Sequence, residues 1–151
     1  TVAATVAGRL ARTTCVRPAV LRAAGALLAG AWSPDRVQGG DVAAIAAWAQ
    51  FFANVDHELS DAGLQWCGRE LERGFRTGTI APLDAARVFA ACDAQALPGA
   101  RLSAEEVALS LVASQQPDGG FGSPADPAHA RVEATLDALA ALRRLAPRAF
   151  A

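Results

Sequence analysis

Apolar residues in this chain recur at three- and four-residue spacing, the period of one face of an α-helix. Pro18, Ser60 and Ser103 each stand just ahead of such a block, where a helix-starting residue belongs, so the pattern predicts helices that start near 19, 61 and 103. Ser103 and Glu106 form a Ser-x-x-Glu capping box, which satisfies two of the amides that a helix start leaves unpaired. Each helix runs into a Gly-rich or Pro-rich stretch, Trp32 to Gly40, Gly74 to Thr79 and Gln115 to Gly122. A second helical segment follows every stretch, over Asp41 to Asn54, Pro82 to Asp93 and Ala130 to Leu145. Proline in the first turn of the middle one lacks only a donor that would be unpaired there anyway.

The unit is helix, loop, helix, and its starts lie about 42 residues apart. A period of that size is the mark of helical repeats, in which no unit buries its apolar face alone and each stacks on its neighbours. The beginning of the chain extends the series, because Val2-Ala3-Ala4-Thr5-Val6-Ala7 lines up with Val132-Glu133-Ala134-Thr135-Leu136-Asp137. The first helix, Val2 to Arg12, therefore reads as the second half of a repeat. The expectation is a single all-α helical-repeat domain over 1–151 with about seven helices: a half repeat at 1–14, then repeats at about 18–56, 60–96 and 102–146. No alternating β-branched run and no hairpin dipeptide asks for a strand.

Composition sharpens this picture. A chain of 151 residues can bury a core without staples. It is 52% hydrophobic but only 6% aromatic, and much of the difference is alanine, the strongest helix former. Net charge is −1 and the arginines are scattered, so no basic face is offered to a phosphate backbone and no nucleic-acid partner is expected. Cys15, Cys67 and Cys92 are odd in number, widely spaced and set in apolar segments, which fits reduced core thiols better than a disulfide frame or a zinc knuckle. With no secretory-signal pattern after Thr1, the expected compartment is the cytoplasm. The longest apolar runs, Ala19 to Trp32 and Val42 to Ala53, fall short of the ~20 residues of a bilayer span, so no transmembrane segment is expected.

The segment Leu109-Ser110-Leu111-Val112-Ala113-Ser114-Gln115-Gln116-Pro117-Asp118-Gly119-Gly120-Phe121-Gly122, followed by Thr135-Leu136-Asp137-Ala138-Leu139-Ala140-Ala141-Leu142, resembles the repeat signature of squalene cyclases and protein prenyltransferase β subunits. The device has a physical sense: glutamine bonds free backbone groups at the helix end, glycine admits positive φ in a tight reversal, and the aromatic plugs the joint between helices. The third repeat matches the signature, while the first and second match in layout. The resemblance implies part of an α/α toroid, a double-walled barrel of helix pairs whose lumen holds isoprenoid chains. It makes Val2 to Arg12, Asp41 to Asn54, Pro82 to Asp93 and Ala130 to Leu145 the inner helices, and it identifies a fold more than an activity.

The chemistry of those families is not spelled out here. The chain has no Asp-x-Asp-Asp motif, the source of the neutral carboxyl with which such cyclases protonate an alkene. Its nearest acidic cluster is Asp56-His57-Glu58 with Asp61, which reads either as an acid site or as loop and N-terminal capping. Zinc of the prenyltransferase kind calls for Asp, Cys and His ligands. His57, His129, Cys67 and Cys92 lack a ligand spacing, Asp137 stands where those enzymes often carry a cysteine, and no metal is expected. Glu133 and Asp137 lie one turn apart on one face, as acid/base candidates or as solvated partners of arginines. Trp48, Phe52 and Phe89 are the candidate lining of an apolar lumen, against ordinary core packing, and His129 is a titratable residue ahead of the last helix. The Gly-Gly pairs at 39–40 and 119–120 are not followed by the Lys of a P-loop, and the chain contains no lysine.

Two functions follow as expectations. One is a terpene-cyclase-like or prenyltransferase-like domain that binds an apolar, isoprenoid-like small molecule without a cofactor, as one part of a larger cyclase or transferase. The other is a non-catalytic helical-repeat module for protein association, by homo-oligomerisation or with a complementary chain that completes the toroid, or for sequestering an apolar natural product.

Overall fold

The computed structural model describes residues 1–145 and places seven α-helices along them: α1 (Val2–Ala11), α2 (Pro18–Gly30), α3 (Val42–Asn54), α4 (Ser60–Thr77), α5 (Pro82–Cys92), α6 (Ala104–Ala113) and α7 (Ala128–Leu145). A single 3₁₀ turn at Pro34–Arg36 precedes α3. No strand forms among the described residues, where Ala96 and Ser103 make an isolated bridge. The all-α class read from the sequence is the observed one; residue 146, the end of the third expected repeat, lies outside the described residues. None of the described helices is long and apolar enough to cross a membrane.

The helix starts show which local signals operate. Asp41 caps α3 with Oδ1, accepting from the amides of Ala43 at 3.0 Å and Ala44 at 3.2 Å. Pro18 and Pro82 occupy first turns, where a missing donor costs nothing. The expected capping box at Ser103 is half formed. Ser103 Oγ accepts from the Glu106 amide at 3.1 Å, but the Glu106 carboxylate turns to Arg76 at the end of α4, because an ion pair between helices outcompetes a neutral backbone donor. Ser60 is the first residue of α4 rather than its cap, and its hydroxyl donates back to the Val55 carbonyl.

The loops are plugged from inside. Val37, Ile80 and Phe121 are each at most 3% exposed, one in each loop between a first helix and a second. In the third loop the Phe121 amide donates to Thr135 Oγ1 of α7 at 3.0 Å, and Gln115 Nε2 donates to the Gly119 carbonyl at 2.7 Å. Gly119 (φ +82°) and Gly122 (φ +90°) take the left-handed turns that side chains resist. The glycines and the aromatic thus act as their chemistry suggested, whereas Gln115 bonds a carbonyl within the loop instead of one at the helix end.

Packing sorts the helices into two layers. α1, α3, α5 and α7 lie side by side in that order, while α2 packs on α1, α4 on α3 and α6 on α5. The buried apolar residues form one continuous cluster between and within these layers. Its densest part gathers Trp32, Trp48, Phe51 and Phe52, with ring centroids 5.0–5.8 Å apart in tilted, edge-on and stacked pairs. Glycines let the layers close: an added Cβ at Gly63 of α4 would fall 2.3 Å from the Phe52 ring.

Candidate functional site

The four helices of the first layer enclose a groove of about 840 Å³, open to solvent and within the size range of small-molecule sites. Its lining follows one register. α3 contributes Ala43, Ala46, Ala47 and Gln50; α5 contributes Arg87, Ala90 and Ala91; α7 contributes Asp137, Ala140, Ala141 and Arg144; α1 contributes Thr5, Arg9 and Arg12. On every helix these are positions i, i+3, i+4 and i+7 or a subset of them, the spacing of one helical stripe. Thr5 is thereby equivalent to Ala43, Arg87 and Asp137. The sequence alignment had paired Thr5 with Thr135, two residues earlier; geometry corrects it, because the groove selects the stripe that faces it and not the letters that match.

The floor is alanine and the polar groups sit at the ends. At one end Arg87 donates to Asp137 Oδ2 from Nε at 3.0 Å and from Nη2 at 2.7 Å, and to Asp84 Oδ1 from Nη1 at 2.8 Å. Burial works against this guanidinium, but the hydrogen bonds to Asp137 and Asp84 outweigh it and hold its pKa above the ordinary arginine value. Here the positive charge is neutralised twice over.

The other end differs. Arg12 Nη1 donates to the Ala91 carbonyl at 3.1 Å and Arg144 Nη1 to the Ala90 carbonyl at 3.4 Å, so the carboxyl ends of α1 and α7 converge on that of α5. Cations there favour the helix dipole. Among the described residues neither arginine meets a carboxylate, and Arg9 has no ion-pair or hydrogen-bond partner. Gln50 lines the same end and is 8% exposed; its backbone carbonyl accepts from Asn54, while its side-chain amide has no protein partner among the described residues. The Gln50 side chain and three arginines without ion pairs among the described residues thus leave hydrogen-bond donors open at this end of the groove.

The residues singled out from sequence are distributed widely. Asp137 is on the groove, committed to Arg87; Glu133, one turn before it, is exposed and not part of the lining. Trp48, Phe52 and Phe89, expected to line a lumen, are 5%, 3% and 0% exposed and pack into the core, because the layer of outer helices needs their bulk more than the alanine-lined groove does. Asp56 is exposed ahead of α4 and Asp61 in its first turn, and His57 Nδ1 accepts from the Leu59 amide at 3.1 Å, so this cluster turns the chain into α4 and stands apart from the groove. His129 is exposed in the first turn of α7. Among the described residues no three His, Cys, Asp or Glu side chains gather as a metal site would require.

Sequence reading missed Arg9, Arg12, Arg87, Arg144 and Gln50. Their signal, polar residues falling on a stripe of alanines at i, i+3, i+4 and i+7, was present but unreadable without the register. No protein-family model, no curated protein and no solved structure matches the chain.

Proposed function

We propose that this chain is a ligand-binding unit of helical repeats, built as part of an α/α toroid, and that its groove holds an elongated, isoprenoid-like molecule with an anionic end. The observation that carries this reading is the groove's division of labour. Alanines at equivalent positions of three helices give a narrow apolar floor, and Arg9, Arg12, Arg144 and Gln50 converge at one end with no carboxylate of the described residues among them. An apolar body gains roughly 25 cal/mol for each Å² removed from water, and each hydrogen bond to a charged group adds about 1.5–3 kcal/mol. Asp137, the carboxylate on the groove, already serves Arg87, so the groove's own chemistry is binding rather than proton donation. A larger cyclase or transferase would supply the reacting groups from elsewhere.

The test is thermal melting with three probes: an isoprenoid diphosphate, the matching neutral alcohol and inorganic diphosphate. The diphosphate ester should raise the melting temperature most, since a ligand at 100 times its Kd stabilises by about 2.7 kcal/mol. Arg9→Gln removes a cation that holds no other part of the fold, so it should weaken binding at least tenfold and leave the unliganded melt unchanged. Equal shifts for the ester and the alcohol, or an affinity indifferent to Arg9, would reject the proposal.

A further inference from the structure

The polar residues of the groove stand at two levels of one register, and helix geometry fixes the distance between them. Thr5, Ala43, Arg87 and Asp137 share the first level; Arg12, Gln50 and Arg144 each stand seven residues further along their helices. Seven residues of α-helix rise roughly 10 Å. Between the two levels α3, α5 and α7 each present a pair of alanines, Ala46 and Ala47, Ala90 and Ala91, and Ala140 and Ala141, with Arg9 of α1 at the same height.

The two ends differ in what they do to an apolar chain. On α5 the position equivalent to Arg12, Gln50 and Arg144 is Ala94, beyond the end of the helix at Cys92, where Asp93 turns left-handed (φ +53°). The missing turn leaves the carbonyls of Ala90 and Ala91 open, and Arg144 from α7 and Arg12 from α1 reach them. Both walls of the groove thereby close over α5 at this end, beside the nine-tenths buried Gln50. An anionic head seated there sends its body the other way, along the alanines. That path ends at Arg87, whose guanidinium bridges Asp84 of its own helix and Asp137 of α7, all three side chains 36–45% exposed. An apolar chain laid over them would strip water from one cation and two carboxylates, which costs more than a methylene group gains.

We propose that the pair of Arg87 and Asp137 is the stop of this groove and selects its ligand by length: an anionic amphiphile whose apolar body has at most about eight or nine chain atoms. An extended chain gains ~3.3–3.6 Å for every three backbone bonds. A span of roughly 10 Å therefore takes about eight or nine bonds, the length of two isoprene units laid end to end. Longer bodies bind no better, because their further atoms meet the ion pair or lie in water. The same pair turns the head group away, since Arg87 is already neutralised by two carboxylates. The inference rests on the ligand reading above and adds to it the residues that set length.

Calorimetric titration of the whole chain with n-alkyl phosphates of increasing length, each below its micelle concentration, tests it. Affinity should rise about two- to fourfold for each methylene as far as about eight or nine carbons and stay flat beyond. In the double variant Arg87→Met with Asp137→Leu the stop is apolar, so the rise should continue to about twelve carbons, while the shortest phosphates bind as before. An exposed ion pair contributes little to a fold, and unchanged helical circular dichroism verifies it. Ala140→Leu, at an exposed position of the floor three residues from Asp137, should move the break the other way, to about five carbons. A wild-type series that keeps rising past about twelve carbons, or a break that neither variant moves, overturns the stop and leaves the ligand reading standing. Failure of every alkyl phosphate to bind overturns that reading, and this inference with it.

Discussion

Replacing Gly8 by alanine sets helix propensity against packing, and the structure decides which wins. Propensity alone says that alanine stabilises a helix interior by about 1 kcal/mol over glycine. A methyl group at Gly8, however, would lie 2.7 Å from the Gln50 carbonyl oxygen and 2.9 Å from its carbonyl carbon. Atoms of α3's backbone cannot rotate aside as a side chain can, so α1 must back away from α3 by several tenths of an ångström. That seam also buries Ala4 and Ala7. Overpacking of this kind costs about 1–3 kcal/mol, which leaves Gly8→Ala less stable by about 1 kcal/mol once the propensity gain is subtracted. Gly30, the exposed last residue of α2, is the control: an added Cβ there meets nothing within 4 Å, so Gly30→Ala should stabilise by up to about 1 kcal/mol. Urea unfolding followed by circular dichroism measures both, and each 1 kcal/mol should move the melting temperature by about 2–4 °C in a chain of this size. Because α1 carries Arg9 and Arg12, its retreat from Gln50 should weaken groove binding as well. A Gly8→Ala protein that melts at or above wild type would refute the close seam between α1 and α3.

Two further outcomes follow from titratable groups. Burial pushes Cys67 and Cys92 each up to about 12, Cys67 with added repulsion from Cys92, whereas Cys15 is exposed. At about pH 8 a thiol reagent should therefore consume one thiol quickly in the native protein and three after denaturation, since the thiolate is the reactive form; three equal native rates would contradict this burial. The Arg131 guanidinium, and then the Gly120 amide, hold Asp118 below the ordinary carboxylate range. A carboxyl depressed in the folded state contributes its stability in full above about pH 4 and loses it as pH falls through the lowered value. Stability curves of wild type and Asp118→Asn should thus separate above about pH 4 and converge in acid; curves that stay parallel throughout would show that the turn at Gln115 to Gly122 does not depend on this pair.

Much of the fold was legible because its signals are local. Pro18 and Pro82 start their helices where the spacing placed them, Ser103 caps α6, and Gly119, Gly122 and Phe121 turn the third loop as their chemistry implied. Each rests on a contact spanning a few residues, or on a backbone angle that only certain side chains accept. Where a long-range partner competed, the local reading failed. Glu106 left its own helix start for Arg76, thirty positions earlier in the chain, and Ser60 turned back to Val55 instead of capping forward.

What the amino-acid order determined unaided, then, was an all-helical chain of paired segments, their approximate ends, and the chemistry of the turns between them. Only the tertiary structure decided which stripe of each alanine-rich helix faces the groove, and that Trp48, Phe52 and Phe89 turn into the core. A helix with small or apolar residues on every side carries no marked face. Its orientation is chosen by the bulk and charge of neighbours that lie far away in sequence.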